Sequence, residues 1–275
     1  MSIKAILLDF DGTSLQRDQV FLSFRNKAAI LAAIEKGIEI IPCTGRCEDM
    51  LPPQIEAEPR IRYWVTANGA RVVDRQTRQV IYNCLFTPEE SAMLCRLYEG
   101  QKIYSEISAE GLIYMEKDIC AQLGRYPVPP HHVWFLEKHR EVQVEKPSEY
   151  FLAKGIGVEK FNLYGVPSEK QESLLAALKN TGIVHITEGA GKDIQFFQKK
   201  QKRVDAMNAL FEHLGYGYES VMSIGDSQLD ADMISRAAIG VAVGNAPDEV
   251  KAVADYVSAP YYEDGAAKAI EKFLL

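Results

Sequence analysis

The feature that most constrains this chain is what waits at the end of each buried apolar run. Residues 3–8 form an apolar run broken only by Lys4, which stops abruptly at Asp9-Phe10-Asp11-Gly12-Thr13. Residues 38–43 repeat the pattern and end in Thr44-Gly45-Arg46, and residues 63–66 lead to Asn68-Gly69. Near the C-terminal end, 220–224 runs into Gly225-Asp226 and 240–243 into Gly244-Asn245. Short, continuous apolar runs rich in branched residues read as strands buried on both faces, the texture of a parallel sheet.

Helical stretches separate these runs. One spans 26–36, with Ala29, Ile30, Ala33 and Ile34 on one face and Gly37 as its stop; others span 204–214 and 229–237. Strand, helix, strand is the unit of right-handed parallel crossovers. In such open sheets a ligand binds outside the carboxyl ends of the strands. The sheet therefore brings Asp9, Asp11, Thr44, Asn68, Asp226 and Asn245 to one edge although they are far apart in the chain.

The middle differs. Residues 102–107 and 111–116 alternate as half-exposed antiparallel strands do, and 126–132 reads as a proline-rich loop that carries His131 and His132, both expected to be exposed. Trp134 and Phe135 read as local core. Residues 161–166, a helix over 168–179, and a pair of strands at 184–187 and 193–197 complete a mixed unit. The expected organisation is a core made of residues 1–80 and 198–275, with a second domain, 81–197, inserted. At 275 residues, 47% hydrophobic and 25% charged, the chain can bury two such interiors.

Charge and cysteine narrow the function classes. The net charge of -7 and pI near 5.4 disfavour nucleic acid as a partner. No apolar run approaches the roughly 18–20 residues that span a bilayer, so a cytoplasmic, membrane-free protein is expected. Five cysteines without zinc-ligand spacing read as reduced, mostly buried thiols.

Asp9, Asp11 and Asp226, with Asp230 behind, would crowd carboxylates together, which is costly without a cation. A few hard oxygen ligands suit Mg²⁺, which keeps waters and shares a substrate phosphate. A carboxylate beside such an ion can attack phosphorus to form an aspartyl-phosphate. Asp9 and Asp11, two apart in an extended segment, face the same way, as a nucleophile and an acid/base require. Gly12 lets backbone N–H groups approach phosphate oxygens, and the Thr44 hydroxyl supplies a further hydrogen bond. A basic run, Lys199-Lys200-Gln201-Lys202-Arg203, precedes the helix that feeds the fourth strand. Cations at a helix N-terminus are unfavourable unless anions lie close, which a phosphoryl group and carboxylates would supply.

These motifs resemble the haloacid dehalogenase superfamily of phosphohydrolases, in its Cof-type branch with a large inserted cap. Asp9-Phe10-Asp11-Gly12-Thr13 is similar to the family's first motif, Thr44-Gly45-Arg46 to the second, and Gly225-Asp226-Ser227-Gln228-Leu229-Asp230 to the fourth. Residues 241–247 and Glu263-Asp264-Gly265 also resemble this branch. The resemblance implies an α/β fold, a Rossmann-like parallel-sheet core with an inserted α+β cap. It implies Asp9 as nucleophile, Asp11 as general acid/base, and Thr44 as phosphoryl ligand, with Gly12, Gly45, Arg46 and Asn245 on the substrate side. Mg²⁺ would be held by Asp9, Asp11 through its carbonyl, and Asp226, with Asp230 in support. Retention of Asp11 points to phosphoryl chemistry, since halide displacement needs no such acid.

Three positions depart from the family pattern. Ser14 replaces a leucine and is expected to affect only packing near the entrance. Leu229 replaces an asparagine that would support the metal. No glycine follows any lysine of the third motif. Lys200 is taken as its cation, with Lys202 second; counting back from Leu214-Gly215 puts Arg203 in the lysine's register. The expected activity is Mg²⁺-dependent hydrolysis of a small phosphorylated metabolite, a sugar phosphate or similar monoester, with the cap as a lid that chooses the substrate. A phosphotransferase or mutase, and a phospholigand-binding regulator without turnover, stand as alternatives.

Overall fold

A computed structural model describes residues 2–138, 141–188 and 193–275. The chain opens with β1 (Ala5–Leu8), α1 (Phe24–Glu35), β2 (Glu39–Pro42) and α2 (Pro53–Glu56), followed by β3 (Tyr63–Thr66), β4 (Arg71–Asp74) and β5 (Gln79–Asn83). The middle contains α3 (Pro88–Arg96), β6 (Tyr104–Ala109), β7 (Leu112–Glu116), α4 (Lys117–Cys120) and α5 (Pro130–Leu136), then β8 (Val142–Val144), α6 (Pro147–Lys154), β9 (Lys160–Tyr164), α7 (Ser168–Asn180), β10 (Val184–Glu188) and β11 (Ile194–Gln198). The chain closes with α8 (Arg203–Leu214), β12 (Val221–Gly225), α9 (Ala231–Arg236), β13 (Ile239–Ala242), α10 (Asp248–Lys251), β14 (Tyr256–Val257) and α11 (Gly265–Leu274).

Two compact units result. The first comprises Met1–Arg46, Met50–Asn83 and Lys202–Leu275; the second comprises Cys47–Asp49 and Cys84–Gln201. The first is built on a parallel sheet of order β14-β13-β12-β1-β2. All four β1 side chains are buried. Ile6 and Leu8 pack with Ala29, Ile30 and Ala33 of α1 and Ile270 of α11, while Ala5 and Leu7 pack with Met207 and Leu210 of α8. Alternate residues of one strand thus enter two different layers, which is why the run carries no polar alternation; each buried Leu or Ile contributes about 1.5–3 kcal/mol.

The third run is a buried strand that adjoins the end of β2 in the parallel sense, with a bridge between Cys43 and Val65, and it forms its longer ladder antiparallel with β4, in the sheet β3-β4-β5. The turn at Asn68-Gly69, with Asn68 at φ 60° and Gly69 at φ 89°, sends the chain straight back along β3. Helix ends follow local chemistry. The Ser23 side chain accepts from the Asn26 N–H at the start of α1, and Gly215, at φ 72°, ends α8.

The second unit carries the mixed sheet β10-β11-β9-β6-β7-β8, in which only β7 and β8 run parallel. Ile107, Phe161, Leu163 and Phe196 face Tyr98, Phe151, Leu174 and Leu178, and the Phe161 and Phe196 rings stack at 4.7 Å. β6 is buried along its whole length instead of half-exposed. Its polar members are partnered inside: Glu106 accepts from the Tyr104 hydroxyl and meets His132 Nδ1 at 2.8 Å. Burial pushes the Glu106 carboxyl up, but His132, Tyr104 and Lys160 together more than offset this and hold it below its ordinary value. His132 is therefore buried rather than exposed. Pro130 starts a helix, α5, because proline at the first helical position forfeits no hydrogen bond.

Candidate active site

The parallel sheet delivers its acids as the strand ends require. One carboxylate oxygen from each of Asp9, Asp226 and Asp230 lies within 4.8 Å of the others. Asp9 follows β1 and is buried, Asp226 follows β12 and is partly exposed, and Asp230 is fully buried. Burial pushes the Asp9 carboxyl well above the usual carboxylate range, reinforced by Asp230 and Asp226 and opposed by Arg203. Burial, then Asp230, pushes Asp226 up to about 6. A crowded set of three acids suits a hard divalent cation, whose charge would reverse the upward shifts of Asp9 and Asp226.

The short loop after β1 is fitted around them. Gly12 has φ 73°, and a Cβ there would stand 2.4 Å from Asp226 Oδ2, so only glycine lets the two loops approach. The Thr13 hydroxyl lies 2.9 Å from Asp9 Oδ2 and 3.1 Å from Asp226 Oδ1 and bridges the carboxylates. The sequence pattern gives Thr13 no role of its own; a hydroxyl four residues after the first acid is the signal that marks it. Ser14 does more than pack. It is fully buried, and its Oγ donates to the Asp9 carbonyl at 2.8 Å. The buried Asn26 of α1 donates to the Ser14 carbonyl and accepts from the Ala267 N–H, so the loop is tied to both α1 and α11.

Asp11 points elsewhere. Its side chain is 44% exposed and is gripped by Arg46, Nε to Oδ2 at 2.7 Å and Nη2 to Oδ1 at 2.5 Å. The buried Arg46 fork also donates to the Gln19 and Met50 carbonyls. Arg46, read from sequence as a substrate contact, is thus occupied in fixing Asp11. Thr44 is fully buried, with its Oγ1 accepting from the Arg46 N–H, and Gly45 beside it is partly exposed.

The fourth motif folds around Asp230. Its Oδ2 accepts from the N–H groups of Asp226 and Ser227 and from the Ser227 hydroxyl at 2.6 Å, while its Oδ1 pairs with Arg203. With both oxygens engaged, Asp230 braces the loop. This loop also delays α9, which starts at Ala231 rather than at 229. Leu229 is exposed and offers the acids no donor.

The cation that acts on Asp9 is Arg203, the first residue of α8, with its side chain buried. Lys200 and Lys202 are exposed and do not belong to this buried set. The helix register had pointed to Arg203; the lysine-for-lysine match had pointed away from it. Gly69 makes room for it, since a Cβ there would stand 2.9 Å from the Arg203 Cα. Asn245, after β13, donates to the Gly12 carbonyl and to Asp226. The cysteines are free thiols, Cys43 and Cys47 buried.

Comparison with known proteins agrees with this geometry. A family profile described as haloacid dehalogenase-like hydrolase matches residues 6–270. The chain is 28% identical over 276 residues to the Bacillus subtilis 5-amino-6-(5-phospho-D-ribitylamino)uracil phosphatase YcsE, covering 100% of this chain and 97% of that protein. It is 39% identical over 277 residues to a Methanothermobacter thermautotrophicus phosphoglycolate phosphatase, covering 99% of each. Among solved structures, a haloacid dehalogenase-like hydrolase from Bacteroides thetaiotaomicron shares the fold at TM-score 0.81 and 23% identity, covering 99% of this chain and 100% of that one. The subclass IIB sugar phosphatase BT4131 matches at TM-score 0.73 and 26% identity, covering 98% of both. No helix among the described residues is long and apolar enough to cross a membrane. From its strand-end acids to the profile that runs almost its full length, the chain belongs to the haloacid dehalogenase-like hydrolases.

Proposed function

We propose that this chain is a Mg²⁺-dependent phosphatase of small phosphomonoesters that works through an aspartyl-phosphate on Asp9. The observation that carries the reading is the gathering of Asp9, Asp226 and Asp230 within 4.8 Å, with Asp11 two residues from Asp9 and partly exposed. Asp9 and Asp226, with the Asp11 carbonyl, would hold the ion, which supplies charge neutralisation for the nucleophile and the phosphoryl oxygens.

In the first half-reaction an Asp9 carboxylate oxygen bonds to phosphorus, the ester P–O bond breaks, and Asp11 gives its proton to the departing alkoxide. In the second, Asp11 takes a proton from a water whose oxygen attacks phosphorus, the acyl-phosphate P–O bond breaks, and inorganic phosphate leaves with Asp9 restored. Arg46 holds both Asp11 oxygens to one side in this structure, so Asp11 must turn out of that grip to serve as acid and base, while Thr13 holds Asp9 against rotation. Arg203 is the cation of the third motif in this reading, acting on Asp9 from the buried side. The named relatives, phosphatases of a ribityl phosphate and of phosphoglycolate, support a small phosphorylated metabolite as substrate.

The test is phosphate release from a panel of phosphomonoesters with Mg²⁺ and with chelator, in wild type, Asp9→Asn and Asp11→Asn. Metal-dependent release that both substitutions abolish is expected. Tight ligand binding by wild type with no release from any ester would replace hydrolysis with a phospholigand-binding role.

A further inference from the structure

Asn245 was assigned by sequence to the substrate, but its amide is already committed. Nδ2 donates to the Gly12 carbonyl at 2.8 Å and to Asp226 Oδ2 at 3.3 Å, and Oδ1 accepts from the Tyr261 N–H at 2.9 Å. The orientation of the amide is forced by its neighbours: a backbone N–H can only donate and a backbone carbonyl can only accept, so Oδ1 must face Tyr261 and Nδ2 must face Gly12. One side chain thereby joins three loops, those after β1 and β12 and the one leading to α11.

The consequence falls on Asp226. Its Oδ1 lies 3.1 Å from the Thr13 hydroxyl and its Oδ2 receives the Asn245 amide, so each oxygen has one donor and the carboxylate cannot spin about its Cβ–Cγ bond. We infer that Asn245 is a positioning residue for the divalent cation, holding the Asp226 carboxylate in a fixed rotamer, and is not a substrate contact. This rests on the reading that Asp9 and Asp226 hold such an ion.

Manganese titrated by calorimetry into metal-free wild type and Asn245→Ala tests it, alongside melting in chelator and the KM for p-nitrophenyl phosphate at saturating metal. Groups that orient metal ligands typically carry 10–100-fold in metal affinity. The expected result is a Kd for manganese weakened about tenfold or more, with KM unchanged and melting in chelator close to wild type. An unchanged Kd with a raised KM would restore Asn245 to the substrate, and loss of the folded state in chelator would make it a structural residue; either overturns the inference. Failure of wild type itself to bind manganese would instead remove the catalytic reading beneath it.

Discussion

Replacing Arg203 by methionine removes the cation from a buried set of acids and keeps most of the side-chain volume. Arg203 and Asp230 expose 7% and 0% of their side chains, so Asp230 would be left buried without its counter-charge. Breaking a buried pair from one side costs about 3–5 kcal/mol. At a urea slope of about 2 kcal/mol/M, that lowers the unfolding midpoint by about 2 M. The chain has two tryptophans, and only Trp64, on β3, lies in the first unit, so a Trp134→Phe background makes fluorescence report that unit alone. The deficit should also depend on pH. Asp9 already titrates well above its ordinary value because of burial, Asp230 and Asp226, and Arg203 is the charge opposing them. A carboxyl raised in the folded state contributes its stability fully below its unfolded value, about 4, and loses it as pH rises through the folded value. In chelator the deficit should therefore be small near pH 4 and largest above pH 7, with Arg203→Lys recovering most of it. A loss under about 1 kcal/mol at pH 7.5 would refute the reasoning, as would a loss that stays flat across this pH range.

Gly12→Ala, which sets a Cβ against Asp226, should cut metal-dependent turnover by about 100-fold or more while costing about 1–2 kcal/mol of stability, read by initial rates and melting. Thr13→Val should reduce kcat by about 10–100-fold at nearly constant KM, because the hydroxyl holds the Asp9 carboxylate. Since Asp226 is raised to about 6 and a protonated carboxylate is no ligand, calorimetric affinity for Mg²⁺ should weaken progressively as pH falls from 7 to 5, with proton release on binding. His132→Phe should destabilise the second unit by about 2–4 kcal/mol at neutral pH by stranding the buried Glu106, as seen in Trp134 fluorescence with Trp64→Phe.

Strand-end chemistry was readable because burial on both faces makes a core strand conspicuous and polar residues cannot continue it. Asp9, Asp226 and the loops carrying them were legible for that reason. Their partners were less so, because hydrogen bonds between distant segments leave no periodic trace. Ser14 looked like a packing substitution, yet it bonds the Asp9 carbonyl. Arg46 looked like a substrate contact, yet its guanidinium holds Asp11. The basic run offered several cations, and only the helix register separates the buried Arg203 from exposed Lys200 and Lys202, because the first residue of α8 faces inward. β3 shows its burial but not all of its partners: its apolar run is that of a core strand beside β2, and the turn at 67–69 also commits it to a hairpin with β4. In the middle of the chain, the polar residues of β6 suggested exposure because a sequence does not reveal that Glu106 has His132 and Tyr104 for company.

The bond from Ala267 N–H to Asn26, across 241 residues, also has a meaning in time. Asn26 in turn holds the Ser14 carbonyl, and Ser14 holds Asp9. During synthesis the loop that carries Asp9 leaves the ribosome before the second unit is made, but its support from Ala267 arrives only after the whole second unit has been translated. The loop therefore waits for a distant segment before its scaffold is complete, and a nascent chain interrupted before residue 267 would carry the aspartates of the first motif without the scaffold that sets them.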